Sequence, residues 1–208
     1  MKLQAAIDRV SMEKAEELMR QIGTHADVIE IGTSLIKDFG LSGSVERIRR
    51  KFPLVRLLAD MKICDEGAYE ARRAFEAGAD FITVMGFSAD ATIRACADEA
   101  ASFGKEYMID LMSCDGERAA ALVKEFPEAV FCIHLPSDIK GAGLEELVIE
   151  SIQWLGEGVR IAAAGGVSIA FIPALRSAGV ETGIVGSGIT KAENVQEAAR
   201  EYYEAMKG

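Results

Sequence analysis

The sequence is short of several things, and each shortage removes a class of function. Its four cysteines, Cys64, Cys96, Cys114 and Cys132, are scattered with no C-x-x-C pair, so neither a zinc site nor a dithiol redox centre is expected. The thiols read as small core or loop residues. No apolar run approaches the roughly 20 residues that span a bilayer. The opening "MKLQAAIDRV" places Asp8 where a signal peptide needs an unbroken apolar stretch, so a cytoplasmic location is expected. Positive charge is also scarce: 23 Lys and Arg against 33 Asp and Glu give a net charge of −10. That balance works against a nucleic-acid partner, which needs a basic face. A single phosphate on a small substrate is a different matter, because a few backbone N–H groups can hold it.

Hydrophobic residues make up 50% of the 208, enough for a full core in one domain spanning residues 1–208. Eight short apolar runs have the character of buried parallel strands: residues 3–8, 27–32, 55–60, 80–86, 106–111, 129–134, 159–166 and 182–187. Helical patterns lie between them. In "SMEKAEELMRQIG", Ala15, Leu18, Met19 and Ile22 fall on one face and Gly23 supplies a stop. Gly78 and Gly179 end two further helices just before a strand. The average repeat is about 25 residues, the size of one strand, one helix and two short loops. Eight such units predict a single-domain (β/α)8 TIM barrel; a doubly wound sheet is the alternative, less suited to eight even units.

In a barrel the chemistry gathers at the C-terminal ends of the strands. Here those ends are polar: Asp8 on strand one, Glu30 on strand two, Asp60 ending strand three with Lys62 two residues on, Asp110 on strand five and His134 on strand six. Residues i and i+2 of a strand share a face, so Asp60 and Lys62 are expected to project together. A charge at a strand end also suits the start of a solvated loop, and His134 alone would suit a core position. The alternating signs of Asp60, Lys62 and Asp65 match a site that tunes a lysine. Glu30 and Asp60 offer the hard oxygens that suit Mg²⁺. His25 lies at the opposite end of the barrel and is expected to be structural. Glycine pairs follow the last two strands, Gly165 and Gly166 in "AAAGGVS" and Gly186, Ser187 and Gly188 in "IVGSGIT". Loops at those places commonly cradle a phosphate.

The stretches "MKLQAAID", "DVIEIGTSLI", "LADMKICDEGAYEA", "FEAGADFITVMG", "MIDLM", "IHLPSDIKGAG", "AAAGGVS" and "IVGSGIT" together resemble the 3-hexulose-6-phosphate synthases over essentially the whole chain. Those enzymes group with 3-keto-L-gulonate-6-phosphate decarboxylase (KGPDC) and orotidine 5′-monophosphate decarboxylase in sharing D-x-K-x-x-D, here Asp60, Lys62 and Asp65. The resemblance implies a homodimer in which Asp65 enters the partner's site, Mg²⁺ held by Glu30 and Asp60, and phosphate held by the glycine loops. It implies aldol addition of formaldehyde to D-ribulose 5-phosphate through an enediolate, with Lys62 stabilising charge and His134 moving protons. Asp8 is placed with the catalytic set, and Asp110 and Ser137 with substrate binding. The related decarboxylase carries arginine three residues past the histidine, where this chain has Ser137, which favours the synthase. Leu135 and Pro136 depart from the small residue and glycine usual in synthases, so a differently shaped loop is expected. A non-catalytic sugar-phosphate-binding barrel is a further alternative.

Overall fold

Short, near-continuous apolar runs mark strands buried on both faces, and they set the architecture. In the computed structural model, which describes residues 1–139 and 143–208, eight strands form. They are β1 (Lys2–Ile7), β2 (Val28–Ile31), β3 (Leu57–Ile63), β4 (Phe81–Met85), β5 (Glu106–Asp110), β6 (Val130–His134), β7 (Arg160–Ala164) and β8 (Thr182–Val185). Each pairs in parallel with the next, and β8 returns to β1 to close the barrel, with Gln4 opposite Ile184 and Ala5 opposite Val185. The expected (β/α)8 barrel is the fold. The segment "IHLPSDIKGAG" runs into residues 140–142, and that part of it lies outside the described residues.

Two apolar layers hold the barrel. Residues such as Leu3, Ala5, Ile7, Ile29, Ile31, Leu57 and Ala59 point outward and are buried under the helices. Their neighbours point inward, where Ala6, Val28, Leu58, Phe81, Met108, Val130, Cys132, Ala162 and Ile184 fill the barrel's interior. Following each inward row towards the strand's C-terminal end replaces apolar side chains by polar ones: Leu58 gives way to Asp60, Phe81 to Thr83, Met108 to Asp110 and Cys132 to His134. The period of two thus supplies a packed floor and a polar mouth.

The helices follow their sequence signals. Ser11 caps Met12–Ile22, its Oγ accepting from Lys14 N at 3.2 Å, and Gly23 ends the helix at φ 57°. All four residues of its expected apolar face are buried. Gly78 and Gly179 end their helices at positive φ, as expected. Between β2 and β3, Gly40 at φ 66° breaks the helix Thr33–Leu41, and a further helix, Arg47–Lys51, follows. That interruption explains why this is one of the two longest repeats. Arg47 and Lys51 pin it to the buried Glu16 at 2.7 and 2.5 Å. Among the described residues no helix is long and apolar enough to cross a membrane.

The expected strand bounds shift by up to three residues, and two of the shifts bear on the site. Strand β7 ends at Ala164, so Gly165 and Gly166, both at strongly positive φ, belong to the loop beyond it. Strand β3 was expected to end at Asp60 but runs to Ile63, so both Asp60 and Lys62 lie inside it. The cause is an irregularity in its pairing with β4: Ala59 faces Ile82, and the next matched pair is Ile63 with Val84. Four residues of β3 therefore advance against two of β4. Because the excess is even, the inward and outward alternation survives it.

Candidate active site

The irregular step in β3 brings Asp60 and Lys62 to one level of the barrel mouth, both facing Thr83 on β4. Lys62 sits at φ 49°, a left-handed backbone that costs a non-glycine residue about 1–3 kcal/mol and persists only where the surroundings enforce it. Its Nζ lies 3.2 Å from both carboxylate oxygens of Asp60 and 3.0 Å from Asp110 Oδ2. Burial works against the ammonium, yet the charges of Asp60 and Asp110 outweigh it and hold the lysine pKa above its ordinary value. Lys62 is therefore a fixed cation at neutral pH. The sequence expectation that it projects with Asp60 holds, although bulged rather than regular strand geometry produces it.

Asp110 is 2% exposed, and both its oxygens are engaged. Oδ1 accepts from Met112 N at 2.9 Å, while Oδ2 meets Lys62 Nζ and, at 2.8 Å, His134 Nδ1. Burial raises its pKa, but the hydrogen bond from His134 and the charge of Lys62 prevail and lower it, so it is an anion. An imidazole that gives Nδ1–H to this carboxylate keeps Nε2 as a base for the cavity it lines.

Asp60 also accepts from two hydroxyls, Thr33 Oγ1 to Oδ2 and Thr83 Oγ1 to Oδ1, each at 2.7 Å. Glu30 is buried beside it and accepts from Gln4 Nε2 at 2.6 Å. Burial, then the charge of Asp60, pushes the Glu30 carboxyl up to about 8. Two adjoining carboxylates, one too crowded to ionise readily, form a donor set that a divalent cation would satisfy. Among the described residues no trio of His, Cys, Asp or Glu could hold a metal. A pair fits Mg²⁺, which takes one or two carboxylates and completes its shell with water and substrate oxygens.

Asp8 lies just beyond β1, its Oδ1 accepting from Ser34 N at 3.2 Å and Ser34 Oγ at 2.7 Å. Gly32 makes this possible, since a Cβ there would overlap the Asp8 carboxylate. These groups line one cavity of about 680 Å³ with Arg9, Leu135, Pro136, Ser137 and the glycine loops Gly165, Gly166, Gly186, Ser187 and Gly188. Gly165, at φ 95°, is pressed against the Leu135 carbonyl so tightly that a Cβ would overlap it. Ser137 is exposed on the cavity rim. Asp65 is not among the lining residues; it is exposed and its Oδ1 accepts from Glu66 N at 2.8 Å. His25, at the opposite end, meets Tyr203 edge-on with ring centroids 6.1 Å apart. Sequence reasoning missed Gln4, Thr33, Ser34 and Thr83 as functional side chains. Only their inward parity or their place just past a strand end could have drawn attention to them.

The model of the orotidine 5′-phosphate decarboxylase / HUMPS family matches residues 1–202. The chain belongs to this family. The 3-hexulose-6-phosphate synthase of Bacillus subtilis (strain 168) is 36% identical over 203 residues, spanning 96% of this chain and 95% of its own. Among solved family structures, 3-hexulose-6-phosphate synthase from Salmonella typhimurium superimposes with a TM-score of 0.92 at 31% identity, covering 100% of this chain and 99% of that one. KGPDC from Streptococcus mutans gives 0.86 at 26% identity, covering 99% and 97%. These relatives make the chain an enzyme of the lyase class within the family.

Proposed function

We propose that this enzyme joins formaldehyde to D-ribulose 5-phosphate, giving D-arabino-3-hexulose 6-phosphate, and that it acts in the cytoplasm as a homodimer. The observation that carries the reading is the Asp110 carboxylate shared by Lys62 and His134, a fixed cation and a fixed base on one wall of a cavity whose other wall is the glycine loops. Deprotonation beside a carbonyl needs that pair: a base for the proton, a cation where the oxyanion develops.

In this reading the backbone N–H groups around Gly165, Gly166, Gly186 and Ser187 hold the phosphate. His134 Nε2 takes a proton from C1 of the sugar, and the Lys62 ammonium stands beside the oxygen that becomes negative. The C1 carbanion equivalent attacks the formaldehyde carbon, and the alkoxide so formed takes the proton back from the His134 imidazolium. Glu30 and Asp60 would hold Mg²⁺, which supplies electrophilic stabilisation of the same oxyanion when bound. Asp8 and Ser137, which line the same cavity, would meet the substrate's hydroxyls, and Asp110 serves the substrate through Lys62 and His134. The outward position of Asp65 suits a carboxylate that completes a partner's site.

The same constellation supports decarboxylation of 3-keto-L-gulonate 6-phosphate, which reaches an enediolate by losing CO2. Ser137, where the decarboxylase carries arginine, favours the synthase. A coupled assay tests the choice. Formaldehyde consumption with ribulose 5-phosphate and Mg²⁺ is expected; CO2 release from 3-keto-L-gulonate 6-phosphate without formaldehyde consumption would move the assignment to the decarboxylase. Folded protein inactive in both assays would leave a sugar-phosphate-binding barrel.

A further inference from the structure

From the hydrogen bonds around the bulge in β3 we infer that Thr83 is a positioning residue for Lys62, holding the lysine in the strained backbone that the reaction uses. Lys62 N donates to Thr83 Oγ1 at 2.8 Å, and the same hydroxyl donates to Asp60 Oδ1 at 2.7 Å. A single buried oxygen thus ties the backbone of the lysine to the side chain of the aspartate. The two excess residues of β3 have lost their regular β4 partners, between Ala59–Ile82 and Ile63–Val84, and Thr83 lies opposite that gap. Without the hydroxyl, a part-buried N–H in an unfavourable backbone conformation loses its acceptor. The bulge then has little reason to hold φ 49° at Lys62. An ammonium moved by about 1 Å relative to the reacting oxygen loses on the order of 100-fold in rate.

Thr33 provides the control. Its hydroxyl also reaches Asp60, at 2.7 Å from Oδ2 and 2.8 Å from the main-chain oxygen, but it does not touch Lys62 N. Removing it weakens the support of Asp60 and leaves the lysine backbone tied.

The kinetic part of the test rests on the proposed reaction, so a crystal structure accompanies it. Thr83→Val is expected to lower kcat about 100-fold while KM for ribulose 5-phosphate stays within about three-fold, and Thr83→Ser is expected to restore most of the rate. Thr33→Val is expected to lose less than Thr83→Val. In crystals of Thr83→Val, the Lys62 φ is expected to leave the left-handed region. Should that variant be unstable, Thr83→Ala, which also removes the hydroxyl, is read in the same way. Three results would overturn the inference: native kcat in Thr83→Val, equal losses in Thr33→Val and Thr83→Val, or a left-handed Lys62 retained in the Thr83→Val crystal. A native protein with no turnover would sink the proposed reaction instead, and the Lys62 backbone would still report on Thr83.

Discussion

His134 Nδ1 lies 2.8 Å from Asp110 Oδ2, the same oxygen that takes Lys62 Nζ at 3.0 Å. One carboxylate atom therefore fixes the orientation of the base and the position of the cation together. Asp110→Asn keeps the shape but can offer an amide N–H to the ring where the native residue accepts one, inverting the tautomer. Turnover should fall by about 10²- to 10⁴-fold with little change in binding of a non-reacting sugar phosphate. Steady-state kinetics beside calorimetric binding checks this; proportional loss of both would show that Asp110 serves binding instead.

Lys62→Ala and Asp60→Ala should each lower kcat by at least about 10²–10³, the usual cost of losing a group aimed at developing charge. His25→Ala should leave turnover within about two-fold, because the ring packs on Tyr203 at the far end of the barrel. Its cost falls on stability, about 0.5–1.5 kcal/mol for an edge-on aromatic contact, read from urea unfolding.

Glu30 predicts a pH dependence. Its carboxyl ordinarily titrates at 4.5 and is pushed to about 8 by burial and by Asp60. A carboxyl raised in the folded state favours folding fully below its unfolded pKa and loses that contribution as pH climbs from 4.5 through about 8. Metal-free native protein should therefore weaken towards alkaline pH, while Glu30→Gln, which cannot ionise, should not show this loss and should be the more stable above about 8. Saturating Mg²⁺ should remove the alkaline loss in the native protein alone. Urea titrations in chelator and in Mg²⁺ across this range measure both effects.

Gly165→Ala should damage the loop after β7. The backbone there is at φ 95°, and the added methyl overlaps the Leu135 carbonyl. Strain of about 1–3 kcal/mol is expected, with a raised KM for the sugar phosphate and a smaller effect on kcat. Gly166→Ala, which meets no atom within 4 Å, should cost less at the same φ sign. Equal effects in the two variants would show that the Leu135 contact is unimportant.

The barrel was legible because its strands are buried on both faces and its helices carry ordinary stops, so eight even units stand out. Asp8, Glu30, Asp60, Lys62, Asp110 and His134 were legible because a titratable residue within or just past an apolar run is conspicuous. The bulge in β3 was not: "LLADMKI" reads as an apolar run that stops at Asp60, and nothing local shows that pairing with β4 resumes at Ile63. Thr33, Thr83 and Gln4 carry no charge and are ordinary in or beside strands, so their roles come only from tertiary placement. The sequence marks Asp110 but not its double engagement, which depends on β6 beside it and on β3 two strands away.

Deuterium exchange at C1 of ribulose 5-phosphate, followed by NMR in D2O with Mg²⁺ and no formaldehyde, isolates the proton abstraction from the carbon–carbon bond formation. If His134 removes that proton with Lys62 stabilising the oxyanion, the native enzyme should exchange one C1 hydrogen for deuterium and Lys62→Ala should not. Native protein that binds ribulose 5-phosphate yet leaves C1 unlabelled would rule out proton abstraction by His134.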